Sequence, residues 1–162
     1  MQTSLTRVLI VDEDRDTADC IASLLQPMGR FDARIACAAE SALEIAKDFL
    51  PAVVLLDIDL PDREGERVAR ALRQHPQLRN LRLVALTHDG DHADRGAALA
   101  AGFERYLNKP VMQAALEKVL NDLPVRDPEP VVVKPEEAGV LADSATALSR
   151  QWHPEQSPQR EP

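Results

Sequence analysis

The chain has 162 residues, enough for one domain with an appendage. Its formal net charge is −8, from 27 acidic and 19 basic residues, which argues against a protein that grips the phosphates of nucleic acid. Its two cysteines, Cys20 and Cys37, lack metal-site or redox-motif spacing and are too few for a disulfide framework. The apolar run from Val8 to Val11 is too short for a signal peptide or a membrane span, so we expect a cytoplasmic protein without membrane contact.

The first 123 residues alternate between two hydrophobic periods. Short runs rich in Val, Ile and Leu predict buried strands at residues 7–11, 34–37, 53–57, 81–86 and 105–107. Helical spacing lies between or after them, as in Ile21, Leu24, Leu25 and Met28, in Ala42, Ile45, Ala46 and Phe49, and in Met112, Leu116, Val119 and Leu123. Continuous apolar strands separated by amphipathic helices predict an α/β domain with a doubly wound, five-stranded parallel sheet.

The composition changes near Pro124. Seven of the 12 prolines fall in residues 124–162, where 7 acidic residues outnumber 4 basic ones. Proline breaks both helices and sheets, and the segment has little apolar surface to offset the entropy lost on ordering. We therefore predict a domain at residues 1–123 and a disordered, Pro-rich acidic tail at residues 124–162.

Polar side chains follow the predicted strands at their carboxyl ends. Asp12 and Glu13 come directly after the first strand, Asp57 ends the third, Thr87 follows the fourth and Lys109 follows the fifth. Because the carboxyl ends of parallel strands meet at one edge of an open sheet, we expect these groups to lie together. Converging carboxylates repel one another and favour a hard cation such as Mg²⁺. An aspartate beside such an ion can act as a nucleophile towards phosphorus, and a lysine and a threonine can bind phosphate oxygens.

At these positions the chain resembles the receiver domains of two-component response regulators. The similarity covers about residues 5–123 and comprises four motifs in register: VLIVDE at residues 8–13, VLLDIDLP at 54–61 with Gly65, ALT at 85–87, and YLNKP at 106–110 preceded by Ala101 and Gly102. The resemblance implies a flavodoxin-like strand order of 2-1-3-4-5. It also implies that the protein signals by accepting phosphate and is not a conventional enzyme beyond Mg²⁺-dependent self-phosphorylation and autodephosphorylation.

The resemblance further implies a role for each motif residue. Asp57 is expected to accept the phosphoryl group from a histidine kinase or a histidine phosphotransfer protein. Mg²⁺ would be held by Asp12, Glu13, Asp57 and the backbone carbonyl of Asp59. Thr87 and Lys109 would bind the phosphate, Tyr106 would switch with Thr87, and the bond before Pro110 would be cis. A downstream protein, not nucleic acid, would read a surface of about residues 92–121.

Three features depart from the commoner family pattern. Glu13 stands where aspartate is more frequent, and His88 follows Thr87 where a small residue is usual. Asp59 and Asp89 add acidic side chains at the rim of the predicted pocket, a place associated with tuning of dephosphorylation.

Other interpretations of the same residues stay open at this stage. Asp14 or Asp16 is expected to be a helix N-cap, and Tyr106 is also compatible with simple core packing. The run of Asp12, Glu13 and Asp14 followed by Thr17 loosely resembles the first motif of haloacid-dehalogenase phosphatases, although the order of the later residues does not fit. A receiver-fold adaptor that binds partners without phosphorylation is the remaining alternative.

Overall fold

The structure, a computed structural model, describes residues 4–88 and 101–123. The described strands are β1 (Thr6–Val11), β2 (Phe31–Ala36), β3 (Val53–Asp57), β4 (Arg82–Thr87) and β5 (Arg105–Asn108). The described α-helices are α1 (Arg15–Leu25), α2 (Ala39–Phe49), α3 (Glu64–Gln74) and α4 (Gln113–Asp122), with short 3-10 turns at Gln26–Met28, Pro61–Arg63 and Pro76–Leu78. The predicted tail, Asp89 and the part of the predicted partner surface before residue 101 lie outside the described residues.

The five strands form one parallel sheet in the order β2-β1-β3-β4-β5, which confirms the predicted architecture. Strand β2 begins at Phe31, three residues earlier than predicted. It lies at an edge of the sheet, where Asp32 and Arg34 are exposed between half-buried neighbours. Its first residues therefore alternate between polar and apolar, and a search for a continuous apolar run misses them.

Both faces of the sheet are covered, because alternate side chains of the central strands point to opposite layers. On one face Leu9, Val54 and Leu83 pack with buried residues of α2 and α3. On the other face the neighbouring residues Val8 and Val53 pack with α1 and α4. Since each central strand is buried on both sides, it consists of consecutive Val, Leu, Ile and Ala residues.

The assignment of Met112 to the apolar stripe of the last helix is wrong. Met112 is 65% exposed and occupies the N-cap position of α4, with extended backbone dihedrals. The helical period starts only at Gln113, so Leu116 and Leu120 form the buried stripe instead.

None of the helices in residues 4–88 and 101–123 combines the length and the apolar character needed to cross a bilayer.

Candidate functional site

The predicted site residues meet at the carboxyl edge of the sheet. In the described part of the chain, the polar or charged residues that are fully buried are Asp12, Asp57 and Thr87. Strand register explains their proximity: Val11 pairs with Leu56, and Asp57 with Leu86, so β1, β3 and β4 end at nearly the same level. Burying a carboxylate costs free energy unless it is paired. A group of buried carboxylates at this edge therefore indicates a functional site.

Lys109 joins the two buried carboxylates. Its ammonium nitrogen lies 2.7 Å from Oδ2 of Asp12 and 3.0 Å from Oδ2 of Asp57, and all three side chains are at most 5% exposed. The backbone amide of Lys109 donates to the carbonyl oxygen of Thr87 at 2.8 Å, which fixes the start of the loop after β5. One ammonium thus serves two carboxylates, and the trio carries one uncompensated negative charge when all three groups are ionised.

Burial and pairing act in opposite directions on these charges. Burial raises the pKa of Asp57, and the hydrogen bonds from Lys109 and from the amide of Asp59 only partly offset it. Burial alone would lower the pKa of Lys109, but its bonds with Asp12 and Asp57 outweigh that effect and raise the pKa. The lysine is therefore held as a cation beside an aspartate that has less than a full countercharge.

Loop backbone groups orient the same carboxylates. Oδ1 of Asp12 accepts from the amide of Asp14 at 2.9 Å, and Oδ1 of Asp57 accepts from the amide of Asp59 at 2.8 Å. Asp14 is itself the N-cap of α1, since its carboxylate accepts from the amide of Asp16 and the hydroxyl of Thr17. Two aspartates of the acidic run after β1 therefore have different roles: Asp12 is a buried site residue, and Asp14 caps α1.

The first turn of α3 presses against the backbone of Asp57. A Cβ atom placed on Gly65 would lie 2.7 Å from the carbonyl oxygen of Asp57 and 3.1 Å from Cα of Ile58. Any larger residue would have to displace that strand end. Gly65 thus fixes the depth at which the Asp57 carboxylate is presented.

The predicted magnesium ligands are only partly assembled. Asp12 and Asp57 converge, whereas Glu13 is exposed, and within residues 4–88 and 101–123 no three His, Cys, Asp or Glu side chains are grouped as a metal centre. Two carboxylates with one uncompensated charge still suit Mg²⁺, which binds through one or two carboxylates and keeps several waters. The residues therefore fit the ion, with Glu13 as a rim residue in this arrangement.

The remaining predicted site residues lie around the carboxylates. Tyr106 is half-buried on β5, packs against the core face that α2 and α3 cover, and pairs in register with Ala85. The bond between Lys109 and Pro110 is cis. His88 has an exposed side chain, but its backbone amide donates to Oδ2 of Asp59 at 3.0 Å.

A groove beside Lys109 was not predicted from the sequence. Its volume is about 880 Å³, and its lining includes Ile21 and Leu24 of α1 together with His88, Pro110 and Val111. The helical spacing of Ile21 and Leu24 placed them on one face of α1. It contained no signal that the loop after β5 would complete a groove there.

Comparison with known proteins agrees with this geometry. Residues 8–121 match the family described as the response regulator receiver domain, and the chain belongs to that family. Response regulator Rre1 of Synechocystis sp. is 29% identical over 119 residues, which are 74% of this chain but only 52% of that relative. The chain thus spans about half of that relative's length.

Solved structures show the same fold. The chemotaxis protein CheY4 of Vibrio cholerae superposes with a TM-score of 0.68 at 24% identity, over 73% of this chain and 98% of that one. The receiver domain of sensor histidine kinase PA1611 of Pseudomonas aeruginosa, which holds magnesium in its active site cleft, gives a TM-score of 0.65 at 25% identity, over 73% and 96%. Receiver domains are in general signalling modules that interact with histidine kinases or phosphotransfer proteins.

Proposed function

We propose that this chain is a phosphoryl-accepting response regulator in which Asp57 is the acceptor. The observation that carries the proposal is the buried trio at the sheet edge, where Lys109 lies within 3.0 Å of both Asp12 and Asp57. An ion pair with a purely structural role would balance its charges. This trio instead leaves one carboxylate partly uncompensated at the carboxyl edge of the sheet.

Phosphoryl transfer requires the protein to position the reacting groups and to neutralise their charge. A carboxylate oxygen of Asp57 attacks the phosphorus of a phosphohistidine, and the phosphorus–nitrogen bond breaks. The imidazole nitrogen leaves with that electron pair and takes up a proton. The ammonium of Lys109 and the hydroxyl of Thr87 then bind oxygens of the new phosphoryl group.

Mg²⁺ belongs to the same proposal. Asp12 and Asp57 would supply its carboxylate ligands, with the carbonyl oxygen of Asp59, and Glu13 would bind from the rim directly or through water. The ion supplies positive charge that neutralises the incoming phosphoryl group. The magnesium bound in the cleft of the PA1611 receiver domain supports this assignment.

The groove beside Lys109 suits a protein donor better than a small molecule. Its apolar lining includes Ile21, Leu24 and Val111 beside Lys109, and Asp16 and Asp19 line it as well. A helix of a histidine kinase or phosphotransfer protein could bury apolar side chains there and bring its histidine to Asp57.

The proposed output is contact with a downstream protein through about residues 92–121, in the cytoplasm, without nucleic acid or membrane. Phosphorylation would shift the population between two conformations of that surface, with Thr87 and Tyr106 as the switch residues. A receiver-fold adaptor that works without phosphorylation is the alternative, and the experiment below separates the two.

The proposal is tested with a small phosphodonor. Incubation with acetyl phosphate and Mg²⁺ should add one phosphoryl group to the intact mass, and EDTA should prevent the addition. Asp57→Asn, which keeps the size of the side chain, should abolish it. A stable parent mass under all conditions would favour the adaptor, and an undiminished increase in Asp57→Asn would place the acceptor elsewhere.

The phosphatase interpretation is tested in the same reaction mixture. A receiver should release almost no phosphate from phosphomonoesters at a protein concentration at which it phosphorylates itself from acetyl phosphate. Multiple turnovers on a phosphomonoester would favour the phosphatase.

A further inference from the structure

A second groove lies between α2 and α3. Its volume is about 470 Å³, and Leu43 of α2 with Val68 and Ala71 of α3 supply its apolar lining. Helices α2 and α3 cover one face of the sheet, whereas α1 and α4 cover the other. This groove is therefore separate from the groove beside Lys109, which α1 lines.

The α3 side of this second groove carries arginines without a partner. Arg67 and Arg70 both line the groove, and both are exposed. In the part of the chain that the structure describes, their guanidinium groups make no ion pair or hydrogen bond. Arg73 on the same helix, by contrast, pairs with Glu104 at 3.2 Å. Arg67 and Arg70 are therefore available to bind an anion from outside.

This basic surface is an exception in an acidic chain. Residues 63–82 contain six arginines and two glutamates, a net charge of +4, whereas the whole chain has a net charge of −8. Because exposed charges more than about 8 Å apart are largely screened at physiological ionic strength, a short acidic segment in the groove would interact mainly with the nearby arginines. A long polyanion or a membrane surface would also meet the acidic remainder of the molecule. The charge distribution therefore favours a short acidic protein segment over nucleic acid or lipid.

Two glutamates give the groove a direction. Glu40 and Glu64 both line it, and each stands in the first turn of its helix. These first turns lie at the carboxyl edge of the sheet, because each helix follows a strand of a parallel sheet. Arg67 and Arg70 lie further along α3, so the groove is acidic at the carboxyl edge and basic beyond it. A complementary occupant has its carboxylates beside the arginines and none beside the glutamates.

We infer that the groove between α2 and α3 binds an acidic, amphipathic segment of a partner protein. Apolar side chains of that segment pack between Leu43 and Val68, and its carboxylates pair with Arg67 and Arg70. A guanidinium group can bind a carboxylate through two parallel hydrogen bonds, which would fix the register of the segment. The inference goes beyond the proposed function, since no residue that lines this groove belongs to the site of Asp57.

Fluorescence anisotropy with designed peptides tests the inference on the 162-residue chain. The first peptide is an amphipathic helix about four turns long, with leucines on one face and glutamates beside them. The second peptide has glutamine in place of every glutamate, and the third has glutamine in place of every leucine. We expect the first peptide to bind about tenfold more tightly than either of the others, because the groove requires both charge and apolar contact. Equal affinity for all three peptides, or no binding of the first, would overturn the inference.

Two double variants that remove equal charge locate the binding. Arg67→Gln combined with Arg70→Gln should weaken the binding of the first peptide about tenfold. Arg63→Gln combined with Arg79→Gln removes two exposed arginines of the same basic stretch that do not line the groove, and it should change the affinity by less than about twofold. Because all four positions are exposed, both variants should keep the melting temperature of the parent. Equal losses of affinity in the two variants would contradict a specific site in the groove.

Other occupants are separate outcomes of the same experiment. A single-stranded RNA oligonucleotide or vesicles containing phosphatidylglycerol that bound more tightly than the first peptide, through Arg67 and Arg70, would assign the groove to nucleic acid or lipid. A dimer in sedimentation that dissociates when both arginines are replaced would make a second copy of the chain the occupant. Either result would overturn the inference. A failure of acetyl phosphate to label the chain would instead affect only the proposed function.

Discussion

At the scale of single residues, the site is governed by the sharing of one ammonium between two buried carboxylates. Lys109 contacts Asp12 and Asp57, and it also ties its backbone to Thr87. The folded protein therefore retains an incompletely compensated carboxylate at the place where a cation and a phosphoryl group would bind. Such an arrangement lowers the free energy of unfolding, and it leaves a carboxylate available to react.

Asp57→Asn should make the metal-free protein more stable at pH 7, by on the order of 1 kcal/mol. Burial raises the pKa of Asp57 above its ordinary value of 3.8, so the folded state holds the proton more tightly than the unfolded state does. That stabilisation is present below the unfolded pKa and is lost as the pH rises through the folded pKa. The advantage of the variant should therefore shrink in acid. Urea denaturation at several pH values measures it, and a variant less stable than the parent at pH 7 would contradict the account.

Lys109→Gln should lower the free energy of unfolding by about 3 kcal/mol in the parent, because two carboxylates then face each other in the interior without a cation. The same change should cost clearly less in the Asp57→Asn background, where only Asp12 is left charged. A double-mutant cycle by urea denaturation measures the difference. Additivity to within about 0.5 kcal/mol would show that Lys109 and Asp57 are not coupled.

At the scale of elements, α3 controls both the site and the turn before β5. Its first turn touches the carbonyl of Asp57 through Gly65. Near its last turn, Arg73 donates to the carbonyl oxygens of Leu81 and Gly102 and pairs with Glu104 at 3.2 Å. One helix thus fixes the end of β3 and the approach to β5.

Gly65→Ala should destabilise the protein by roughly 1–3 kcal/mol and slow its phosphorylation, because the new methyl group forces the Asp57 carbonyl to move. Glu64→Ala is the matched control on the same turn, since Glu64 is only half-buried, whereas Gly65 is buried. Thermal unfolding and the rate of mass increase with acetyl phosphate give the two measurements. A Gly65→Ala protein as stable and as fast as the control would contradict the close approach.

Arg73→Lys should destabilise the protein by about 1–2 kcal/mol, although the charge is kept. A lysine ammonium cannot reproduce the fork that reaches two carbonyl oxygens and Glu104 at once. The exposed Arg70→Lys on the same helix is the control, and it should change stability by less than about 0.5 kcal/mol. Equal melting temperatures for both variants would show that the fork contributes nothing.

The sequence was sufficient to predict the central strands, but not the residues at the edge of the sheet and at a helix end. Strands β1, β3 and β4 were predictable because burial on both faces leaves continuous apolar runs. The start of β2 and the exposure of Met112 were not, since an edge strand and a helix N-cap each follow a different rule from the element interior.

The candidate site, too, could be predicted from the sequence only in part. Chain order placed Asp12, Asp57 and Lys109 at one edge of the sheet, because parallel strands present their ends together. The contact of Asp59 with the amide of His88 joins residues 29 apart and depends on two loop conformations. The bond of Arg73 to Glu104 joins residues 31 apart. Neither contact follows a periodicity that a sequence displays.

At the scale of the whole molecule, the topology draws groups from residues 12 to 109 into one site, so nearly the whole domain is needed to build it. Residues 124–162 contribute none of the predicted site residues. From their composition we predict that deleting residues 125–162 leaves both the melting temperature and the phosphorylation rate nearly unchanged. Differential scanning calorimetry and intact-mass kinetics test this, and a loss of many degrees on deletion would show that the segment is part of the fold.

The central claim is that Asp57 carries the phosphoryl group, and chemical trapping tests it most directly. Borohydride reduces an acyl phosphate to an alcohol, so an aspartyl phosphate becomes homoserine while free aspartate is unaffected. After treatment with acetyl phosphate and Mg²⁺, then borohydride and proteolysis, peptide mass spectrometry should find homoserine at position 57 alone. Homoserine at position 12 or 59, or none in a protein whose intact mass had risen, would contradict the account.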